Sequence, residues 1–230
     1  MPKLGMGPVR RAQVFRAASE VIARETFSGT TIMKVAQAAG VSTGTVNHYF
    51  ANKRALLIET LAHLAAEWNS DLRKAVEQAD PGEPRLAALV DAAGPTTSIN
   101  KLRWKVWTAA WSEAVTSREL RTALRHSRER WISLLAEEFE TINIELGGPK
   151  VDAQAIARKY DALQNGLFIQ MLTSDGSVDR EIVEILRDYL SENLGPRAAS
   201  QGQAARDGAA VPVVEAAGEA GVAQSHMPVG

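Results

Sequence analysis

Residues 31–50 read TIMKVAQAAGVSTGTVNHYF and gather the side chains best suited to touching a nucleic acid. Ser42, Thr43 and Thr45 bring short hydroxyls to the start of a helix, where base edges and phosphates come within reach. Gly44 has no side chain, so the backbone there can approach DNA closely. Asn47 and His48 are longer polar groups that can reach bases or phosphates. Tyr49 and Lys53 stand where the chain turns into the next helix, suited to phosphate contact, and Thr31 at the start of the preceding helix completes the candidate DNA-contact set. Ala36 and Ala39 are small enough for two helices to approach, while Val41 and Val46 can pack inward and set their crossing angle. Two short helices joined by a tight turn at Gly40 have the spacing of a helix-turn-helix, whose second helix enters the major groove.

A capped helical hairpin with no ligand would look similar, and charge separates the two readings. Residues 1–54 hold eight Lys/Arg against two acids, a balance of +6, which leaves −7 on the remaining 176 residues of a chain whose net charge is −1. A basic end on an acidic body is the electrostatic footprint of a local polyanion-binding surface.

Other chemistries find little support. There is no cysteine, which excludes disulfides, thiolate catalysis and Cys-ligated metals. No Gly-rich phosphate loop, nucleophile elbow or two-His metal spacing is present, and Gly147-Gly148-Pro149-Lys150 reads as a helix stop. His63 and Glu67, at i and i+4, are half a metal site at most, and a solvated helical pair is the ordinary reading. The expectation is a chain that is not an enzyme and carries no cofactor or metal. A helical enzyme and a purely structural helical adaptor are the rival classes. No leading apolar stretch reads as a signal peptide and no apolar run approaches the ~20 residues of a membrane span, so a cytoplasmic protein without membrane contact is expected.

The elements that must position these residues are helical throughout. Val14, Ala17, Ala18, Val21 and Ile22 follow the i, i+3, i+4, i+7, i+8 spacing of an amphipathic helix over about 8–26. Thr31 precedes a short helix that Gly40 ends, Ser42 caps a third through about His48, and Asn52 caps a long fourth with the stripe Leu57, Leu61, Leu64, Trp68 and Leu72, broken at Pro81-Gly82. Further helices are expected at about 84–93, 99–116, 118–144, 152–173 and 178–194, with no convincing strand. The fold class is therefore all-α. An N-terminal three-helix DNA-binding domain (1–51) is followed by a helical effector-binding and dimerisation domain (52–194). Residues 195–230, rich in Ala and Gly and lacking Leu, Ile and aromatics, cannot bury enough apolar area to offset ordering and read as a disordered tail. The apolar faces of the last two helices suggest a homodimer with a four-helix interface, binding a roughly palindromic operator in double-stranded DNA.

The run T-x6-A-x2-AGVSTGTVNHYFANKRALL closely resembles the DNA-binding segment of the tetracycline-repressor (TetR) family over about residues 8–60. That resemblance implies three N-terminal helices bearing the helix-turn-helix, then a larger helical domain that dimerises and binds an inducer. The opening PKLGM with Arg10-Arg11, KVWTAAWSEA (105–114) and ALQNGLFIQ (162–170) are similar to the choline-responsive branch of that family, repressors of glycine-betaine synthesis. Those relatives carry an acid where Asn165 stands and lack the tail.

The resemblance implies a choline-like small-molecule effector. Trp104, Trp107 and Trp111 lie at i, i+3 and i+7, one stripe on a helix. A quaternary ammonium has no hydrogen-bond donor on its cation, and its natural partner is an aromatic cage at roughly 0.5–2 kcal/mol per ring. Trp131, Tyr160 and Phe168 are candidates to complete the walls. Glu113 or Asp161 could supply counter-charge, and Asn165 joins the candidate effector set. Ordinary core or interface packing is the commoner role of such tryptophans, since aromatic stripes usually pack. A repressor of an unrelated efflux or catabolic operon, with a different ligand, is the second functional reading.

Overall fold

The structure, a computed structural model, describes residues 6–174 and 179–196; the expected tail, apart from Gly195 and Pro196, lies outside the described residues. Nine helices and no strand occur among the described residues: α1 (Met6–Gly29), α2 (Ile32–Ala38), α3 (Thr43–Tyr49), α4 (Lys53–Gln78), α5 (Glu83–Ala93), α6 (Ser98–Ala114), α7 (Arg118–Glu145), α8 (Ala153–Thr173) and α9 (Asp179–Asn193). No helix among them is long and apolar enough to cross a membrane. Helix α6 ends two residues earlier than its periodicity suggests. Its last turn closes with Ser117 N–H donating to the Glu113 carbonyl, and the Ser117 hydroxyl then caps α7 by accepting from Leu120 N–H.

The caps account for the N-terminal elements. The side chains of Thr31, Ser42 and Asn52 each accept a backbone N–H three residues on, from Lys34, Thr45 and Ala55. Helix α2 ends in a Schellman turn: Val41 N–H donates to the Ala36 carbonyl at 3.0 Å and Gly40 N–H to the Gln37 carbonyl at 3.1 Å. This turn needs the left-handed backbone of Gly40, whose φ is +64°. Helix α1 is regular to Glu25 and kinks at Thr26, a β-branched residue held at φ 65°. Such a conformation costs of order 1–3 kcal/mol, and its surroundings pin it: Thr30 Oγ1 donates to the Thr26 carbonyl at 2.7 Å, and Lys34 Nζ reaches the Gly29 carbonyl and the Glu25 carboxylate. The Lys34 hydrogen bond holds the Glu25 carboxyl below its ordinary pKa.

Three apolar clusters organise the packing. Val14, Phe15, Ala18, Val21, Val35, Ala39, Val46, Phe50 and Leu56 form a core shared by the first three helices and the first turn of α4. Ile22 and Phe27 at the far end of α1 join Leu57, Leu61, Val106, Ala110 and Leu120, so α1 also lies against α4 and α6. The largest cluster draws on α4 through α9 and includes Trp68, Trp104, Phe139, Tyr160, Phe168 and Leu186. The apolar faces of α8 and α9 are mostly covered within the protomer. Ile156, Tyr160, Phe168, Ile182, Leu186 and Leu190 are all buried, because α5 and α7 pack against them. For most of their length these faces are therefore not left free for a second copy.

Candidate functional site

The first candidate surface is the helix-turn-helix. Burial of Val46 at the centre of α3 (0% exposed) fixes that helix against α1 and α2 and leaves Ser42, Thr43, Gly44, Asn47 and His48 exposed. Thr45 and Tyr49 are half-buried beside them, and Thr31 is exposed at the start of α2. Val41 is only partly buried, packed at the edge of that core. The hydroxyls of Thr31 and Ser42 act as helix caps, their oxygens accepting backbone N–H groups. Ser42 Oγ and Thr45 Oγ1 share a hydrogen bond at 2.9 Å. Lys53 Nζ donates to the Ser28 carbonyl at 3.0 Å, which ties the start of α4 to the end of α1 and leaves further N–H donors on its ammonium.

The two kinds of contact should be separable. Lys53→Ala is expected to weaken binding to every DNA sequence and lower the salt slope by about one unit, as loss of one phosphate contact does. Thr45→Ala should instead change which sequence is preferred, since Thr45 can meet a base edge or a thymine methyl. Fluorescence anisotropy on operator and random duplexes across a salt series checks both. Equal losses on both duplexes for Thr45→Ala would remove it from the reading surface.

The second candidate site is a cavity of about 490 Å³ between α4, α6, α7 and α8. Trp68 from α4, Trp104, Trp107 and Trp111 from α6, and Trp131 from α7 all line it. Trp68 meets Trp104 edge-on at 5.2 Å and Trp131 at 5.5 Å, and Trp111 lies 6.2 Å from Trp104. The end of α5 holds this wall in place, since its terminal carbonyls have no partners within the helix. The Ala92 carbonyl accepts from Trp68 Nε1 at 3.1 Å and from Asn100 Nδ2 at 3.0 Å, and the Ala93 carbonyl accepts from Gln164 Nε2 at 3.3 Å. The Arg103 guanidinium sits 5.7 Å from the Trp68 ring centroid.

The polar lining comes from Asn69, Ser127, Asp161, Gln164, Asn165 and three arginines, Arg121, Arg125 and Arg128. Asp161 is buried but not free, because its Oδ2 accepts from Arg128 Nε at 2.7 Å. Gln164 Oε1 and Trp104 Nε1 are buried without a hydrogen-bond partner among the described residues. An unmade hydrogen bond at a buried polar atom costs about 1–3 kcal/mol, which a ligand able to complete it would recover.

Several expected wall residues stand elsewhere. Tyr160 and Phe168 are fully buried and do not line the cavity. Phe168 stacks behind Trp104 at 3.8 Å, and Tyr160 packs on Phe139, where burial pushes its phenol above the ordinary pKa. Glu113 faces away from the cavity and accepts from Ser28 Oγ at 3.1 Å. His63 lies 3.3 Å from Glu67 and stacks on Phe15, in the manner of a packed helical pair. Sequence reasoning missed Trp68, which looked like one more core position in the α4 stripe, and it missed Gln164. It also missed the arginine face of α7, although the basic run around His126 was a visible signal.

Two family models match separate stretches of the chain. Residues 14–60 match the family described as bacterial regulatory proteins, tetR family, and residues 81–195 match the BetI-type transcriptional repressor C-terminal family. The HTH-type transcriptional regulator BetI of Burkholderia mallei is 34% identical over 200 residues, covering 86% of this chain and all of that protein. Among solved structures, a transcriptional regulator from Pseudomonas aeruginosa superimposes with a TM-score of 0.66 at 25% identity, over 80% of this chain and 89% of its own. A regulator from Saccharomonospora viridis, solved in complex with choline, gives a TM-score of 0.71 at 24% identity, over 83% of this chain and all of its own.

Proposed function

The chain belongs to the TetR family of bacterial transcriptional regulators and carries a BetI-type repressor C-terminal domain, and from that premise we propose that it controls choline uptake and glycine-betaine synthesis genes in response to choline or a close quaternary ammonium relative. The observation that carries the effector reading is the cavity walled by five tryptophans. A trimethylammonium group offers no hydrogen-bond donor, and indole faces are its strongest neutral partners. The unpartnered Gln164 Oε1 suits the hydroxyl proton of choline, and the choline held by the Saccharomonospora protein of the same fold agrees.

On the DNA side, Thr31, Ser42, Thr43, Gly44, Thr45, Asn47, His48, Tyr49 and Lys53 form the contact surface, acting on operator DNA in the cytoplasm. Two copies pair through α8 and α9. The support is a stretch of α8 that the protomer leaves uncovered: Ala162 and Gly166 are exposed, a Cβ at Gly166 would meet nothing within 4 Å, and Ile169 is 47% exposed. Such a face admits a second helix closely. The paired recognition helices then sit about 34–36 Å apart, one turn of DNA.

Gel-shift titration against the DNA upstream of this gene, with and without choline, tests the proposal, together with light scattering. Specific binding by a dimer, altered by choline, is expected. A monomer at micromolar concentration would remove the dimer, and operator binding indifferent to every quaternary ammonium would remove the effector assignment.

A further inference from the structure

The charge around the cavity is of the wrong sign for a bare cation. Arg121, Arg125 and Arg128 line it against one acid, Asp161, so the lining carries a balance of +2. Asp161 is already neutralised by Arg128 at 2.7 Å. Among the described residues Arg125 pairs with Glu129 at 3.9 Å, with both side chains about two-thirds exposed, and Glu129 does not line the cavity. Arg121 donates to the Val115 carbonyl at 3.4 Å, a long contact, and makes no ion pair among the described residues. Two guanidinium groups at the mouth therefore meet no full counter-charge in the cavity.

These residues are arranged along one line. Arg121, Arg125 and Arg128 are at i, i+4 and i+7 on α7, and Trp131 continues the same face one turn further. At a rise of about 1.5 Å per residue, the α7 wall changes from arginine to indole over about 15 Å. The aromatic end is where Trp131 meets Trp68, and Trp68 meets Trp104. The opposite end, toward Arg121, is lined by Leu124 and by Ala114 from the end of α6. The volume of about 490 Å³ falls in the range that holds drug-sized ligands, far larger than choline alone.

Resting on the quaternary ammonium reading of this cavity, we propose that its preferred ligand is a zwitterion, a trimethylammonium group joined to a phosphate or carboxylate. The cation lies among the indoles and the anion meets Arg121 and Arg125. The guanidinium fork binds either anion through paired N–H donors, which a bare choline hydroxyl cannot accept in the same way. Choline enters the same cage but faces the arginine field unaided.

Titration calorimetry with phosphocholine, glycine betaine and choline on the full chain tests this, in wild type and in an Arg121→Gln, Arg125→Gln double variant. In wild type at least one zwitterion is expected to bind fivefold or more tighter than choline, and which of the two does so identifies the anion. In the variant the affinities should move in opposite directions, falling several-fold for the zwitterion and rising for choline. Both arginines are solvent-exposed, so the substitutions leave the core intact. Choline binding as tightly as both zwitterions, or the variant losing affinity for all three ligands together, overturns the proposal while the quaternary ammonium reading stands. If none of the three binds wild type, that reading fails as well.

Discussion

Trp107→Ala is expected to weaken choline binding about fivefold and to remove the choline response of the operator complex, while the variant stays folded and still binds DNA. The physical basis is one lost ring of the cage, worth about 1 kcal/mol at a half-buried position on the cation–π scale. Trp107 is the informative position because it is half-buried at the cavity wall and only flanks the two apolar clusters it touches. Its neighbour Trp104 is different. It is 3% exposed, stacks on Phe168 and meets Trp68 edge-on, so Trp104→Ala should cost about 3–5 kcal/mol of stability as a core truncation. Loss of choline binding in that variant would not separate cage from core. Calorimetry and gel shift on the Trp107 variant, with circular dichroism as the folding control, decide the matter. A folded Trp107→Ala protein that binds choline like wild type would return Trp107 to ordinary packing. The response also requires that choline bind the DNA-competent and released states with different affinity, since an effector shifts an equilibrium only by that difference.

Phe50→Ala is expected to abolish operator binding while leaving the effector cavity functional. Phe50 is 1% exposed at the end of α3 and packs edge-to-face on Phe15 at 5.3 Å, inside the core that holds the recognition helix against α1. Truncating such a ring costs about 3–5 kcal/mol, a large share of the 5–15 kcal/mol that ordinary domains possess. None of the cavity-lining residues belongs to that core, which is the basis for proposing residues 1–51 as a DNA-reading unit and 52–194 as the effector unit. The opposing consideration is α1, whose far end packs with α4 and α6 through Ile22 and Phe27. Gel shift and choline calorimetry on the same variant weigh the two. Choline affinity lost in step with DNA binding would mean that the first three helices and the remainder unfold as one unit, and the proposed boundary would not stand.

Much of this was legible in the linear sequence, because it depends on neighbours within one or two helical turns. The Thr31, Ser42 and Asn52 caps lie next to the apolar periods they introduce, and Gly40 marks a left-handed turn that few other residues accept. These local rules set out the helices, the helix-turn-helix and the exposed polar side chains of α3. The Trp104, Trp107 and Trp111 stripe was legible for the same reason, since a single helix face follows from a period of 3.6 residues. The charge asymmetry that marks the N-terminal region as a polyanion surface needed only counting.

Tertiary packing decided what faces what. No spacing rule brings Trp68 of α4 beside Trp104 of α6 and Trp131 of α7, because their adjacency depends on how three helices cross. Trp104 of the helical stripe and Phe168 of a neighbouring helix were both candidate walls; packing put Trp104 at the cavity and Phe168 behind it. It turned Glu113 toward Ser28, and it paired Asp161 with Arg128, which cancels the one buried carboxylate a cation would have used. A sequence reports which charges a chain carries. Only the fold reports which of them are matched and where: Asp161 meets Arg128 at 2.7 Å inside the cavity lining, while Arg125 meets Glu129 at 3.9 Å outside it.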